Sequence, residues 1–262
     1  MMVLGAVLIF MHGSAATLGF VSWRKIELPW LRFALAICMA SIWLLLLLLP
    51  QQWVSSTPGP ADIDLISSLP RTRFILDDFS QPFALAILAV LLFSLLDRRI
   101  SMSALCWILG VGATTLFCVL AGNVTTLLMG WALLEMTLLI FSFLHQKSDQ
   151  QSTFLSMPFI LRLVGPGLLI LAGLMGGGAH GLNWSLTDIP AAPFLVLLGA
   201  SLFRWGIWLP TRFLVGDQQQ QRGWLFTGCL PSAVSSMLIY RLAAGQQPFS
   251  LPLAGEIVLG GS

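Results

Sequence analysis

LLMGWALLEMTLLIFSF, residues 127–143, holds a single charged side chain, Glu135, and no other charge lies within ten residues of it. A helix needs about 20 apolar residues to cross the hydrocarbon of a bilayer. Extended to its polar edges, this stretch reads as one such helix over 123–145. Working outward, seven more runs of the same kind appear, at 2–22, 31–50, 81–97, 101–121, 157–176, 192–210 and 224–244. They are too long and too evenly apolar for the strands of a transmembrane barrel. A closed barrel is the only other structure that satisfies every backbone group in lipid. The sequence therefore predicts an all-α integral membrane protein of about eight transmembrane helices, with 1–262 as one membrane domain.

Composition agrees. Of the 262 residues 57% are hydrophobic and 9% charged, against about 25% charged in an ordinary soluble domain. A water-soluble fold of this size leaves too much surface wet to hide that excess. Ten Trp and seventeen Phe stand beside one Tyr, which also suits a lipid-facing chain. The net charge of +2 and the absence of any basic run longer than two residues exclude a nucleic-acid partner. Cys38, Cys106, Cys118 and Cys229 lie in or beside apolar runs without C-x-x-C spacing and read as small packing residues. The first 22 residues lack the positive start of a signal peptide; Arg24 and Lys25 follow the run instead. That order fits a first spanning helix with its N-terminus outside.

The connections are polar or rich in Gly and Pro. The longest, 51–80, opens with STPGPAD and reads as a loop; 146–156, 176–190 and 217–223 are the others. Basic residues at the helix ends divide unevenly. Arg24, Lys25, Arg32, Arg98, Arg99, Lys147, Arg212 and Arg222 fall on one side, and Arg71, Arg73 and Arg241 on the other. The positive-inside rule puts the first side in the cytoplasm, so the chain is expected in the inner (cytoplasmic) membrane with both termini on the outer side.

Ionisable groups inside the hydrocarbon are costly and are usually paired or functional. Three qualify: Glu135, Arg162 and Arg204. Desolvation alone favours a neutral acid, whereas a basic partner on another helix favours the carboxylate. Two readings of Glu135 stay open here: a Glu–Arg pair that pins two helices, and a protonatable relay. Arg204 reads either as such a partner or as a side chain snorkelling to the interface beside Trp205 and Trp208. Arg162, nearer its helix start, fits snorkelling. Asp77 and Asp78 precede the third helix, where a solvated or capping role is expected. His12, His145 and His180 lack metal-ligand spacing. With no P-loop, no G-x-S-x-G and no dinucleotide fingerprint, neither a cofactor nor a catalytic site is expected in this chain. The glycines of LVGPGLL, 163–169, lie in a membrane helix and read as a kink or close packing.

Several stretches together resemble the antiporter-like membrane subunits of respiratory complex I and of Mrp-type sodium/proton antiporters. FILDDFSQPFALAILAVLLF, 74–93, is similar to the Phe-x-x-Asp-x-x-Ser stretch that opens the family's third helix. FCVLAGNVTTLLMGWALLEMTLLIFSFL, 117–144, resembles the passage from helix four to helix five, an Ala-Asn-Asn turn leading to Gly-Trp-Glu; here stand Ala121, Gly122, Asn123, then Gly130, Trp131, Ala132. LFRWGIWLPTRFL, 202–214, is similar to helix seven, with a lysine ahead of a Pro-containing break, and LPSAVSSMLIYRLA, 230–243, to the Pro-x-Ser-Ala stretch leading into helix eight. The resemblance runs in order over about 70–243. It implies the N-terminal helices of that family, with helix seven broken near Pro210.

The departures are specific. The family's helix-five glutamate position is Ala132, and Glu135 sits about 4.5 Å further along the axis and about 60° round the helix. The helix-seven lysine corresponds to Arg204, which stays charged where a lysine can cycle. Ser235 and Ser236 occupy the stretch of the family's helix-eight base, and the family's later helices have no counterpart here. The resemblance therefore implies a shortened, degenerate relative: a membrane subunit of a complex I-like or Mrp-like proton- or sodium-translocating assembly, with Glu135 and Arg204 as the central pair; Arg162 is a further ion-translocation candidate as an intramembrane charge. The alternatives are a non-conducting structural or assembly subunit of such a complex, or a membrane subunit of an inorganic-carbon uptake complex. The implied partners are other membrane subunits of a hetero-oligomer and the lipid bilayer.

Overall fold

The computed structural model describes residues 2–24, 29–49, 53–56, 72–145, 164–175, 186, 193–202, 230 and 232–241. Apolar sequence in long runs makes helices, and the described residues are mostly helical. They form α1 (Met2–Trp23), α2 (Pro29–Leu48), α3 (Ser80–Leu96), α4 (Met102–Val119) and α5 (Val124–His145), with β1 (Trp53–Ser56) and β2 (Arg73–Leu76) between α2 and α3. Further on are α6 (Val164–Met175), α7 (Pro193–Leu202) and α8 (232–241). The first five helices match their predicted runs to within two residues at each end. The last three lie inside theirs; the remainder of those runs falls outside the described residues.

Three helical stretches, Leu4–Trp23, Trp30–Leu48 and Met102–Val119, are long and apolar enough to cross a membrane. The apolar helix α3 is shorter at 17 residues, about 25 Å of axis, just within the range that spans. Large apolar side chains point outward, among them Ile9, Phe33 and Phe93, and Leu48 is 80% exposed. Such a surface suits lipid and is a liability in water.

Local chemistry sets the helix ends. Pro29 opens α2, where its missing N–H costs nothing. The Ser101 hydroxyl accepts from the Ala104 amide at 3.2 Å and caps α4. Asn123 Oδ1 accepts from the Thr126 amide at 2.9 Å and from the Thr126 hydroxyl at 2.5 Å, capping α5. Helix α4 is the hub. It packs against α1, α3 and α5, while α2 lies on α3. Two side chains tie α2 to α3: Trp43 Nε1 donates to the Leu85 carbonyl at 3.0 Å, and Gln81 Nε2 to the Leu46 carbonyl at 2.9 Å.

Glycine governs the closest helix contacts. A Cβ on Gly130 of α5 would lie 2.6 Å from the Phe117 ring and 2.9 Å from Cys118 Sγ, both on α4. The cysteines described here, Cys38, Cys106 and Cys118, are all free thiols. Cys118 is fully buried, and Cys106 Sγ lies 3.2 Å from the Ala15 carbonyl.

One expectation needs correcting. The segment 51–80 is not wholly loop, because β1 and β2 pair antiparallel, from Trp53 opposite Leu76 to Ser56 opposite Arg73. β2 also docks on the α4–α5 turn. The Ile75 amide donates to the Leu120 carbonyl at 2.8 Å, and the Gly122 amide to the Arg73 carbonyl at 2.7 Å. The α4 C-terminus thus gains a donor for a carbonyl the helix leaves unpaired. Four-residue strands beside a Pro- and Ser-rich stretch carry too little alternation to be read from sequence.

Candidate functional site

The Phe-x-x-Asp-x-x-Ser stretch builds the corner between β2 and α3. The Asp77 amide donates to Ser80 Oγ at 2.9 Å, and the Ser80 amide donates to Asp77 Oδ1 at 2.7 Å. This reciprocal pair fixes the first turn as a capping box does. The Ser80 hydroxyl also reaches the Ile75 carbonyl at 3.2 Å. Phe74, which opens the motif, meets Phe117 of α4 edge to face, centroids 5.1 Å apart.

Arg241, at the end of α8, enters this corner. Its Nη2 lies 2.9 Å from Asp77 Oδ2 and 3.0 Å from Oδ1. Its Nη1 donates to the Ala121 carbonyl in the α4–α5 turn at 2.7 Å. The arginine is 1% exposed and the Asp77 side chain 14%. Phe79 and Tyr240, each beside one partner in sequence, meet edge to face at 5.4 Å. One guanidinium thus joins the start of α3, the α4–α5 turn and the end of α8.

Two forces act on Asp77. Burial works to raise its pKa. The Arg241 charge, the hydrogen bond from Arg241 and the two bonds with Ser80 outweigh burial, and the carboxyl is held below its ordinary value. The carboxylate is therefore the stable form, and the pair is a clamp joining α3, the α4–α5 turn and α8.

The capping role expected of Asp77 is found, together with a buried partner that sequence reading missed. Asp78 is exposed. Arg241, by sequence one of the basic residues at the helix ends, is buried because a carboxylate and a carbonyl meet its guanidinium. The available signals were the three-residue spacing of Asp77 and Ser80 and an arginine closing an apolar helix. Neither says that residues so far apart in the chain meet.

Glu135 is buried, 7% exposed, on α5. It lies one turn beyond Trp131, so the two share a face. Trp131 is fully buried, and its ring would lie 3.1 Å from a Cβ placed on Gly165 of α6. Gly165, from LVGPGLL, lets α6 sit directly on that indole. Arg162 and Arg204 lie outside the described residues. Among known proteins, no family model and no curated protein matches this chain.

Proposed function

We propose that the chain is an antiporter-like membrane subunit of a hetero-oligomeric, proton- or sodium-translocating assembly of the complex I or Mrp kind. In this reading it has eight spanning helices, lies in the inner membrane with both termini outside, and works beside other membrane subunits. The observation that carries the reading is convergence. Three stretches that bear the resemblance, 74–93, 117–144 and 230–243, meet at one point through Asp77, Ala121 and Arg241. Glu135, buried on the helix that starts from that point, is the group assigned to proton or ion handling, with Arg204 as its partner and Arg162 as a further candidate. A charge change in a neighbouring subunit would then shift the pair, coupling by electrostatics.

Glu135→Gln in the assembled complex tests this reading. Ion pumping is expected to be lost while assembly persists; unchanged pumping removes the relay. A second reading, a non-conducting structural or assembly subunit, is favoured by the Asp77–Arg241 clamp, which ties three elements of the fold together. It predicts normal pumping in Glu135→Gln and failed assembly when the clamp is broken. A membrane subunit of an inorganic-carbon uptake complex is distinguished by its partners, identified by purifying the chain with whatever remains bound.

A further inference from the structure

The end of the bundle opposite the clamp carries an exposed basic surface. Arg32, in the first turn of α2, donates from Nη2 to the Ile100 carbonyl at 2.8 Å, and its Nε lies 3.1 Å from Met102 Sδ. These bonds fix the start of α2 to the α3–α4 turn, where Arg98 and Arg99 are exposed. Helix α1 arrives at the same level. Cys106 of α4 touches the Ala15 carbonyl and lies 3.0 Å from a Cβ placed on Gly19. From Gly19 to Arg24, and from Cys106 back to Ser101, is five residues each way, about 7.5 Å along either helix. Arg24 is therefore level with the α3–α4 turn. It rests on two rings, 5.2 Å from the centroid of Trp23 and 5.4 Å from that of Phe20.

Arg24, Arg32, Arg98 and Arg99 thus share one end with a single described acid, Asp97, whose Oδ1 accepts from the Arg99 amide at 2.9 Å. Trp23 is 74% exposed and Trp30 63% at the same level. Exposed indoles at a helix end mark the lipid–water interface. Guanidinium groups take phosphate oxygens in paired hydrogen bonds. A soluble phosphate would use the arginines alone, whereas a lipid uses the arginines and the aromatic rim together.

We propose that this end binds the phosphate headgroups of anionic lipids, with Arg98 and Arg99 as the free contacts and Arg24 and Arg32 held at the rim by their own bonds. The proposal is independent of ion translocation.

The test titrates the purified full chain in detergent with phosphatidylglycerol, phosphatidylcholine or inorganic phosphate and reads retained lipid by native mass spectrometry. Phosphatidylglycerol is expected to be retained in preference to phosphatidylcholine, with affinity falling as salt rises. Each surface arginine contributes about a fivefold change in affinity, so Arg98→Gln/Arg99→Gln should weaken it about 25-fold. Both side chains are exposed, and an unchanged melting temperature of the variant in phosphatidylcholine confirms its fold. Equal retention of the two lipids, an unaltered affinity in the folded variant, or displacement by inorganic phosphate at matching concentration would each overturn the proposal.

Discussion

At the scale of single residues, Arg241 has the most to lose. Its charge is buried, and its counter-charge comes from a side chain fixed by the turn it caps. Removing one member of such a pair strands the other, which costs about 3–5 kcal/mol. Asp77→Asn should therefore lower the melting temperature of the purified protein markedly. The double variant Asp77→Asn/Arg241→Gln should lose less than the sum of the single changes, because no charge is left stranded. Additive losses would show that the two groups do not interact. The pH dependence has a definite sign. The Asp77 carboxyl is held below its ordinary value, so its contribution is present above about pH 4, the unfolded carboxylate range. It is lost as pH falls through the folded value. Acid melts of the wild type and of Asp77→Asn should draw together as pH falls below about 4 and meet only below the folded value. A constant gap down to the lowest pH measured would exclude the linkage.

At the scale of elements, every described helix falls on a run of apolar sequence, and three are long enough to span, because a run of about 20 apolar residues has few other uses. The structure adds the caps that set two of the boundaries, Ser101 before α4 and Asn123 before α5. The β1–β2 ribbon was not legible, since its order comes from contact with the α4–α5 turn rather than from its own pattern. The site was legible only in part. Glu135 stands out because a lone acid in apolar sequence is conspicuous, whereas Asp77 reads as a solvated or capping residue and Arg241 as a basic residue at a helix end; only the fold brings the two together. Close helix contact depends on glycine in a way that can be measured. Gly130→Ala would push a methyl to 2.6 Å from the Phe117 ring and 3.3 Å from the Cys118 amide nitrogen. Neither the ring nor the backbone can yield cheaply, so a loss of about 1–3 kcal/mol is expected. Gly5→Ala on α1 meets nothing within 4 Å, and should be neutral or slightly stabilising through better helix propensity. Thermal melts of the two variants side by side decide the matter; equal stability would show that α4 and α5 are not in close contact.

For the whole molecule, the two ends differ in the state of their charges. Arg24, Arg32, Arg98 and Arg99 gather at one end. At the other, Arg241 is buried against Asp77, leaving Arg73 half-buried and Asp78 exposed. Since orientation follows Lys and Arg near helix ends, the arginine-rich end is expected in the cytoplasm. Asp78 and Arg99 are exposed at opposite ends, which makes them suitable reporters. In a background with Cys38, Cys106 and Cys229 replaced by Ala, Asp78→Cys should react with a membrane-impermeant maleimide on intact cells. Arg99→Cys should react only after the membrane is opened. Labelling of Arg99→Cys in intact cells, with Asp78→Cys protected, would invert the orientation. The lipid-binding end would then face the outer leaflet, and the clamp that joins α3 to α8 would face the cytoplasm.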